Sequence, residues 1–342
     1  MKAAIIQSNG VVKLEDLPRP EIGSNELLVK MRACGICGTD LEKLHGEHIT
    51  PPILGHEVAG VVEEAGNEIR GIGVGDRVAV HHHISCGSCA LCKKGLETLC
   101  EAFPKSNLHP CGLAEYFRVP ANLVEGGTVY KLPNSLSFEE GSLIEPTACC
   151  VRALRKISVT AGHGAVVFGV GPVGLTHIQL LKSYGITPVY AVDVIKNRRE
   201  IATKLGADMT FDPTTDDVPN ALSLLTSGLG LDYAIVATGN VKALEQGFRT
   251  VRKGGVVLLF GAPARGASAE FDLSNLFLRE VKFISSYSTS ETEMRIALNL
   301  IDKKRINPSR LISHRFPLSK TIDALNVADK GVDAVKVIVE NN

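Results

Sequence analysis

The chain of 342 residues contains no tryptophan, and only 5% of its residues are aromatic. Its 37 lysines and arginines are balanced by 37 aspartates and glutamates, so the formal net charge is zero. A neutral chain with few aromatic rings lacks both the attraction for phosphate and the stacking surface that a nucleic-acid partner requires. The composition therefore predicts that the protein does not bind nucleic acid.

Long apolar runs are also missing. The longest ones, around residues 165–175 and 256–263, are interrupted by glycine and fall well short of the roughly 20 residues of a bilayer span. The first ten residues lack the apolar core of a secretory signal. We therefore expect a cytoplasmic protein without membrane partners, whose nine cysteines serve as thiols or metal thiolates.

The apolar pattern divides the chain into two kinds of sequence. The first third is β-rich: apolar residues alternate along Leu27–Ala33, and Asn9-Gly10 has the composition of a hairpin turn. From about Ala165, short apolar strands alternate with helical periodicity, which predicts about six parallel strands. The predicted fold class is α/β, with a doubly wound Rossmann sheet beside a β-rich domain. We expect the tail to rejoin the first domain, giving domains of residues 1–147 with 287–342, and 148–286.

A glycine-rich turn follows the first strand of the α/β block and opens a helix. Its residues are Gly169, Val170, Gly171, Pro172, Val173 and Gly174. Glycines in this context permit a tight turn, close approach to a pyrophosphate and packing of the helix on the strand. The alternative is an ordinary glycine-rich turn with a chance acidic residue downstream. We interpret the motif as a dinucleotide site.

Asp193 ends the next strand, 19 residues beyond Gly174. A carboxylate at this point accepts hydrogen bonds from the ribose hydroxyls and repels a 2′-phosphate. NAD is therefore predicted in preference to NADP. Arg198 and Arg199 follow closely and could accommodate a 2′-phosphate. Of the two, Arg198 is predicted to bind the cofactor.

Four cysteines have the spacing C-x2-C-x2-C-x7-C, at Cys86, Cys89, Cys92 and Cys100. Thiolates at this density predict a closed tetrahedral zinc site with a structural role. An iron–sulfur centre is one alternative, although no proline follows the fourth cysteine as it does in bacterial ferredoxins. A nucleic-acid-binding zinc ribbon is another, but few basic and aromatic residues surround the cluster.

Cys34 and Cys37 form a further C-x2-C pair. This pair leaves open a redox function or a zinc site shared with Cys86 and Cys89. Such a site would leave Cys92 and Cys100 without a metal. We interpret Cys34 as a small buried residue. The same packing role is expected for the remaining cysteines, Cys111, Cys149 and Cys150.

Three short motifs contain residue types that ligate metals: Cys37-Gly38-Thr39-Asp40, Gly55-His56-Glu57-Val58-Ala59-Gly60 and Leu143-Ile144-Glu145-Pro146. Together with Gly66 and Gly75-Asp76-Arg77-Val78, they resemble the zinc signature of the medium-chain zinc-dependent alcohol and polyol dehydrogenases. The third motif looks most like the sorbitol and threonine 3-dehydrogenase members. The resemblance covers essentially the whole chain. It implies a GroES-like catalytic domain with a four-cysteine lobe, an NAD-binding Rossmann domain, one catalytic and one structural zinc, and a homodimer or homotetramer.

A catalytic zinc needs about three protein ligands and an open position. The resemblance implies that Cys37 and His56 are two of them. Neighbouring residues of an extended segment point to opposite sides, so Glu57 can join His56 only if the backbone bends. Glu57 and Glu145 both stay open as the carboxylate ligand, and Glu145 could instead hold a zinc-bound water.

The family resemblance implies that the zinc acidifies a secondary hydroxyl of a small polar substrate and that hydride passes to the nicotinamide. The substrate class is a polyol, cyclitol, sugar derivative or amino alcohol. Thr39 stands where the family relays the proton, but the next relay position, a histidine in the family, is Glu42 here. Glu42, His45 and solvent therefore stay open. The alternative functions are a sugar 1-dehydrogenase acting at the anomeric carbon and a non-enzymatic, zinc-stabilised nucleotide-binding protein.

Three other features of the sequence lead to predictions about single residues or loops. His81, His82 and His83 follow a strand, where alternation would keep them from forming one ligand set, so surface or structural roles are predicted. The resemblance places the loop Ala237-Thr238-Gly239 near the nicotinamide. Lys336 is interpreted either as a contact to the cofactor phosphates or as a surface lysine.

Overall fold

The computed structural model describes residues 1–7, 10–46 and 53–341. These residues form fifteen β-strands and eleven α-helices. None of the helices in the described ranges combines the length and apolar character that crossing a membrane would require. The chain divides into two compact units, Met1–Ala148 with Thr289–Asn342, and Cys149–Ser288.

The strands, in chain order, are β1 (Lys2–Ile6), β2 (Val12–Asp16), β3 (Leu27–Gly35), β4 (Glu57–Ala65), β5 (Arg77–Val80), β6 (Tyr116–Val119), β7 (Val129–Lys131), β8 (Ala165–Phe168), β9 (Val189–Val192), β10 (Met209–Phe211), β11 (Leu231–Val236), β12 (Val251–Leu259), β13 (Lys282–Ser285), β14 (Ile312–Pro317) and β15 (Lys336–Glu340). The α-helices are α1 (Gly38–Leu44), α2 (Ala121–Glu125), α3 (Phe138–Ser142), α4 (Ile144–Lys156), α5 (Pro172–Ser183), α6 (Lys196–Lys204), α7 (Val218–Leu225), α8 (Val241–Thr250), α9 (Leu273–Arg279), α10 (Glu291–Asp302) and α11 (Thr321–Lys330). Short 3₁₀ helices lie at Cys92–Lys94, Glu97–Leu99, Phe103–Lys105, Pro308–Leu311 and Leu318–Lys320.

The first unit is built on a seven-stranded sheet. Its strands follow the order β14-β15-β3-β4-β5-β7, and β6 pairs with β3 beside this path. β3 pairs antiparallel with β4 and also with β15, the strand near the C-terminus. Strand β3 is buried along most of its length because neighbouring strands and packed side chains cover it. The C-terminal strand therefore lies beside the segment that leads into Cys37.

A separate hairpin of β1 and β2 precedes this sheet. Asn9 of the predicted turn lies outside the described residues, whereas Gly10 is described, with a φ of +80°. A Cβ atom at Gly10 would lie 2.7 Å from the carbonyl oxygen of Leu44, so the position requires glycine for both its conformation and its space.

The second unit is a six-stranded parallel sheet in the order β10-β9-β8-β11-β12-β13. Every residue of β8 and of β9 is buried. Burial on both faces explains why these strands are short continuous apolar runs without alternation. The α/β fold class and the parallel Rossmann sheet that the sequence predicts are confirmed.

The register of the parallel strands brings three chain segments to one edge of this sheet. Phe168 of β8 is level with Val192 of β9 and with Val236 of β11. The segments that follow these residues begin with Gly169, Asp193 and Ala237. Because the carboxyl ends of parallel strands share an edge, the glycine turn, the acidic residue and the Ala237 loop adjoin one another.

Candidate active site and metal centres

Four cysteines come together in the loop after β5. The ligand atoms of Cys86, Cys89, Cys92 and Cys100 all lie within 4.8 Å of one another. The Sγ atom of Cys92 is 3.9 Å from that of Cys86 and 3.5 Å from that of Cys89. Four sulfurs at about 2.3 Å from a tetrahedral zinc lie about 3.8 Å apart. The cluster therefore has the size of a closed zinc–thiolate site.

Backbone N–H groups point at these sulfurs. The Cys86 amide donates to Cys100 Sγ at 3.4 Å, and the Cys89 amide donates to Cys86 Sγ at 3.4 Å. Hydrogen bonds from the Ser88 and Cys89 amides lower the pKa of the Cys86 thiol to about 6, whereas burial raises that of Cys92 to about 11. Four adjacent thiolates repel one another, so a dication is the natural partner that lets all four ionise.

A second group of metal-ligand types lies in the same unit. The ligand atoms of Cys37, His56 and Glu57 all lie within 4.8 Å of one another. Cys37 precedes α1 at its N-terminus, and His56 directly precedes β4. Gly55, with a φ of +72°, bends the chain before the strand begins. The bend that His56 and Glu57 need to face one site is present, because strand alternation begins only after His56.

Asp40 contacts the segments that carry Cys37 and His56, although the sequence motifs predicted no role for it. It is fully buried, and its Oδ2 accepts a hydrogen bond from the Cys37 amide at 3.0 Å. Its Oδ1 accepts from the Gly55 amide at 2.9 Å and lies 3.9 Å from His56 Nδ1. Asp40 therefore positions both ligand-bearing segments. An acidic residue three positions after the N-cap of a helix is a capping signal that could have identified it.

The charge around His56 is strongly negative. Burial alone would lower the pKa of His56, but the charges of Cys37, Asp40 and Glu145 raise it well above its usual value. A site that stabilises an extra positive charge on an imidazole also attracts a metal cation.

We expect metal binding at Cys37 and His56 to weaken as the pH falls. The raised pKa means that the metal-free site keeps a proton on His56 to a higher pH than usual, and a metal ion must displace it. The affinity should change by about tenfold or more per pH unit between about pH 6 and pH 8, since at least one proton is released. Competition with a coloured chelator measures it, and a pH-independent affinity would contradict the geometry.

The histidines after β5 are not arranged as predicted. β5 ends at Val80, so strand alternation does not govern the residues that follow. His81 is fully buried and His82 is 8% exposed. The His82 ring centroid is 4.7 Å from that of His56 and 3.9 Å from that of His83. The predicted divergence of neighbouring rings is wrong for His81 and His82, whose ligand atoms lie within 4.8 Å of each other, and so is a surface role for these two. The structural role stays a prediction.

Glu145 comes close to these histidines. It lies in the first turn of α4, is 6% exposed, and has a ligand atom within 4.8 Å of those of His81 and His82. Burial lowers the pKa of His81 to about 3 and that of His83 to about 4. These imidazoles are therefore neutral near pH 7, the form that ligates metals.

Lys336 is not a surface residue. It is 3% exposed, forms an ion pair with Glu57 Oε2, and its Nζ donates to the Ile36 carbonyl oxygen at 2.9 Å. Burial opposes a charged lysine, but Glu57 and Cys37 raise the pKa of Lys336. The surface interpretation of this lysine is wrong.

Thr39 and His45 occupy different surroundings along α1. Thr39 Oγ1 lies 3.9 Å from Cys37 Sγ. His45, at the end of the helix, has its Nε2 2.8 Å from Asp329 Oδ1, and 63% of its side chain is exposed. His45 therefore pairs with a surface aspartate, while Thr39 adjoins the metal-ligand group.

The glycine turn of the second unit is shaped as the dinucleotide motif requires. Gly169 has a φ of +80°, and a Cβ atom at Gly174 would lie 2.0 Å from the Gly169 carbonyl oxygen. Among the described residues, a Cβ atom at Gly171 would meet only Arg198, at 3.8 Å. Pro172 and Val173 form the first turn of α5. Gly174 lets the helix pack on the strand, and Gly171 leaves open space for a ligand.

A cavity of about 460 Å³ adjoins this turn. Its lining includes Gly169, Gly171, Asp193, Arg198, Ala237 and Thr238. Asp193 accepts hydrogen bonds from the Val170 and Ile195 amides, both at 2.8 Å. Arg199 does not line the cavity and instead pairs with Asp212 at 3.0 Å. Six of the predicted cofactor residues thus line one cavity, and Pro172, Val173 and Gly174 follow in the adjoining helix turn. Arg198 and Lys242 are the cations of the lining.

The remaining cysteines are free thiols. Cys34, Cys111 and Cys150 are buried, and Cys149 is half-buried. Burial raises the pKa of Cys111 to about 12 and that of Cys34 well above its usual value. Such thiols stay protonated, which suits packing rather than metal binding.

Comparison with known proteins gives the same picture. Residues 23–134 match the alcohol dehydrogenase GroES-like domain, and residues 172–303 match the zinc-binding dehydrogenase family. Sorbitol dehydrogenase from Bombyx mori is 32% identical over 98% of this chain and 97% of its own. Among solved structures, 2R,3R-butanediol dehydrogenase from Bacillus subtilis has a TM-score of 0.87 and 28% identity over 100% of this chain and 99% of its own. An NADP-bound protein from Sinorhizobium meliloti 1021, assigned as a zinc-binding dehydrogenase, has a TM-score of 0.89 and 32% identity over 99% and 98%.

These matches cover both units, and the residues that the family motifs require are brought together within each unit. The chain belongs to the medium-chain zinc-dependent alcohol and polyol dehydrogenases.

Proposed function

We propose that this protein is a zinc-dependent dehydrogenase that oxidises a secondary hydroxyl of a small polyol or related polar molecule with NAD. The observation that carries the proposal is the convergence of Cys37, His56 and Glu57, whose ligand atoms lie within 4.8 Å of one another. Thr39, a residue that can carry a proton, adjoins this group. A purely structural zinc site would be closed by four protein ligands, whereas three leave a position for substrate.

Cys37, His56 and Glu57 are the residues that would hold the catalytic zinc. Glu57 is favoured over Glu145 because its ligand atom groups with those of Cys37 and His56, while that of Glu145 groups with His81 and His82. When bound, the zinc supplies a Lewis acid that lowers the pKa of the substrate hydroxyl, and NAD supplies the hydride acceptor.

The protein residues orient this site and handle the proton. Asp40 fixes the Cys37 amide and the His56 segment, so the ligands are held before the substrate arrives. The Thr39 hydroxyl can pass the substrate proton outward, and the surface pairing of His45 with Asp329 favours Glu42 or solvent as the next acceptor. Lys336 balances the charge of Glu57.

The substrate class follows from the relatives. Proteins named for sorbitol, xylulose and 2R,3R-butanediol all match this chain. The deciding experiment incubates the enzyme with polyols, cyclitols, aldoses and amino alcohols, with NAD or NADP, and follows the reduced cofactor. A ketone product from a polyol supports the proposal, a lactone from an aldose would point to the sugar 1-dehydrogenase, and no turnover with any of them would contradict a dehydrogenase.

Replacing Asp193 by serine should reduce the preference for NAD over NADP by about tenfold or more, because the carboxylate no longer repels a 2′-phosphate. Asp193 also accepts two backbone hydrogen bonds. Asp193→Asn, which keeps an acceptor oxygen but removes the charge, is therefore the matched variant. The ratio of kcat/KM for the two cofactors measures the effect, and an unchanged ratio in both variants would show that Asp193 does not read the ribose.

We further propose that two copies of the chain associate through the β13 edge of the parallel sheet. Among the described residues, β13 pairs only with β12, and exposed apolar side chains lie on or near it. They are Leu273, Phe277, Leu278, Phe283 and Tyr287. An unpaired strand edge flanked by exposed apolar groups favours association with a second copy.

Replacing Phe277, which is 80% exposed, by aspartate should weaken this association by about tenfold or more, because a charge would then be buried at the interface. Leu224→Asp is the control, since Leu224 is also apolar and 74% exposed but lies on α7. Light scattering across a dilution series gives the mass. A wild-type monomer at all concentrations, or equal effects of both variants, would rule out this surface.

A further inference from the structure

Arg199 lies beside the dinucleotide cavity in α6, and the function proposed above gives it no role. We propose that Arg199 is a positioning residue, which together with Asp212 fixes the two chain segments at the adenosine end of the cavity. The adenosine end is the part of the cavity beside Asp193, the carboxylate expected to bind the ribose. The inference rests on the proposed function, because it concerns the adenosine part of NAD.

The guanidinium of Arg199 joins the ends of two neighbouring strands. Asp193 directly follows β9, and Asp212 directly follows β10. The Nη1 of Arg199 donates to the Asp193 carbonyl oxygen at 2.6 Å and lies 3.0 Å from Asp212 Oδ2. The side chains of Arg199 and Asp212 are 16% and 22% exposed. Hydrogen bonds with charged partners are stronger than neutral ones, and partial burial lessens their screening by water and salt.

Asp212 extends this restraint to the wall of the cavity. Its Oδ1 accepts hydrogen bonds from the Thr214 amide at 3.0 Å and from the Thr214 hydroxyl at 2.6 Å. Pro213 and Thr214 line the same cavity as Asp193. The hydrogen bonds from Thr214 and the charge of Arg199 lower the pKa of Asp212, so this carboxylate is ionised at neutral pH. One oxygen of Asp212 therefore holds the cavity wall while the other holds Arg199.

The backbone alone gives β10 little support. This strand has three residues, Met209–Phe211, and among the described residues it pairs only with β9. A short edge strand has few backbone hydrogen bonds, so a side-chain bridge contributes much to the position of its end. Groups that contact a ligand must be held to within about 0.5 Å of the productive geometry. Loss of the bridge should therefore weaken binding although neither Arg199 nor Asp212 lines the cavity.

The alternative is that Arg199 attracts the cofactor phosphates simply as a positive charge. In that case removing Arg199 weakens binding, but removing the negative charge of Asp212 strengthens it, because the pyrophosphate is an anion. If the two residues act by positioning, removing either one weakens binding, since the bridge needs both. The two explanations thus predict opposite signs for Asp212→Asn.

The test measures binding of ADP-ribose, which lacks the nicotinamide, to the full-length protein by calorimetry. We expect Arg199→Gln and Asp212→Asn each to raise Kd by about tenfold, and the double variant to raise it no further, because both changes remove one contact. In steady-state kinetics the KM for NAD should rise by a similar factor, whereas kcat should not fall, because the residues beside Cys37 are unchanged.

Lys182→Gln is the matched control. It removes an ion pair of similar length, 3.1 Å, with Asp208, which directly precedes β10 at the opposite end of the same strand. Its Kd for ADP-ribose should equal that of the wild type. Hydrogen exchange of the ligand-free protein gives a second readout: residues 209–216 should exchange faster in Arg199→Gln and Asp212→Asn, and at the wild-type rate in Lys182→Gln.

Asp212→Asn keeps the size of the side chain and an acceptor for Thr214, so it tests the bridge even where Arg199→Gln fails to fold. An unchanged Kd in either variant, or tighter binding by Asp212→Asn, would overturn the positioning role and leave the proposed function intact. A wild-type protein that does not bind ADP-ribose would overturn both.

Discussion

Replacing Cys37 by alanine will lower kcat/KM by about 10³-fold or more and remove one zinc per chain. The thiolate is the only sulfur in the proposed catalytic group of the described residues, and its loss leaves His56 and Glu57 as protein ligands. Without a held metal the substrate hydroxyl is not acidified, and about 4 kcal/mol of transition-state stabilisation corresponds to this factor. Steady-state kinetics and metal analysis measure the two effects.

Cys34→Ala is the matched control for this experiment. Cys34 lies in the same segment, is also a cysteine and is fully buried. It belongs neither to the metal-ligand group of Cys37 nor to the four-cysteine cluster. It should cost stability at the level of a small core cavity and leave the zinc content intact. A Cys37→Ala enzyme that keeps both its zinc and its rate would refute the assignment.

Replacing Cys89 by serine will remove a different zinc and destabilise the first unit. A metal present at about a thousand times its Kd contributes about 4 kcal/mol to folding. For a unit of this size each kcal/mol moves Tm by about 2–4 °C, so we expect a fall of about 8–16 °C. Scanning calorimetry with and without a chelator measures it, and the chelator should have less effect on the variant than on the wild type.

The control for the cluster is Cys149→Ser, at a half-buried cysteine of the other unit that is outside the cluster. It should keep its full zinc content and its sensitivity to the chelator. If Cys89→Ser also keeps full zinc content, the four sulfurs do not form a metal site. If it loses zinc without a fall in Tm, the metal is not structural.

Much of the fold could be predicted because its signals are local. The short apolar strands, the glycine turn after β8 and the acidic residue after β9 occur in one order along the chain, and parallel strands end at one edge. The four-cysteine spacing is likewise local, since all four residues lie within 15 positions of each other. The carboxyl-end cavity beside Asp193 follows from the same arrangement.

The histidines after β5 show where local reasoning failed. Periodicity predicts that consecutive residues diverge, but this applies only inside a strand, and β5 ends at Val80. A boundary shift of a few residues therefore changes which side chains can share a ligand. Asp40 was missed for another reason: its contact with Cys37 is a local helix cap, but Gly55 belongs to a segment that reaches it only after folding.

The sequence by itself determined the Rossmann sheet, the glycine turn and the cysteine spacing, because each depends on residues close together along the chain. Only the tertiary structure decided which carboxylate faces which histidine, and that Lys336 is buried against Glu57 and against Ile36, 300 residues away. The reason is register: β15 and β4 both pair with β3, and a shift of one residue would turn these side chains to the opposite face.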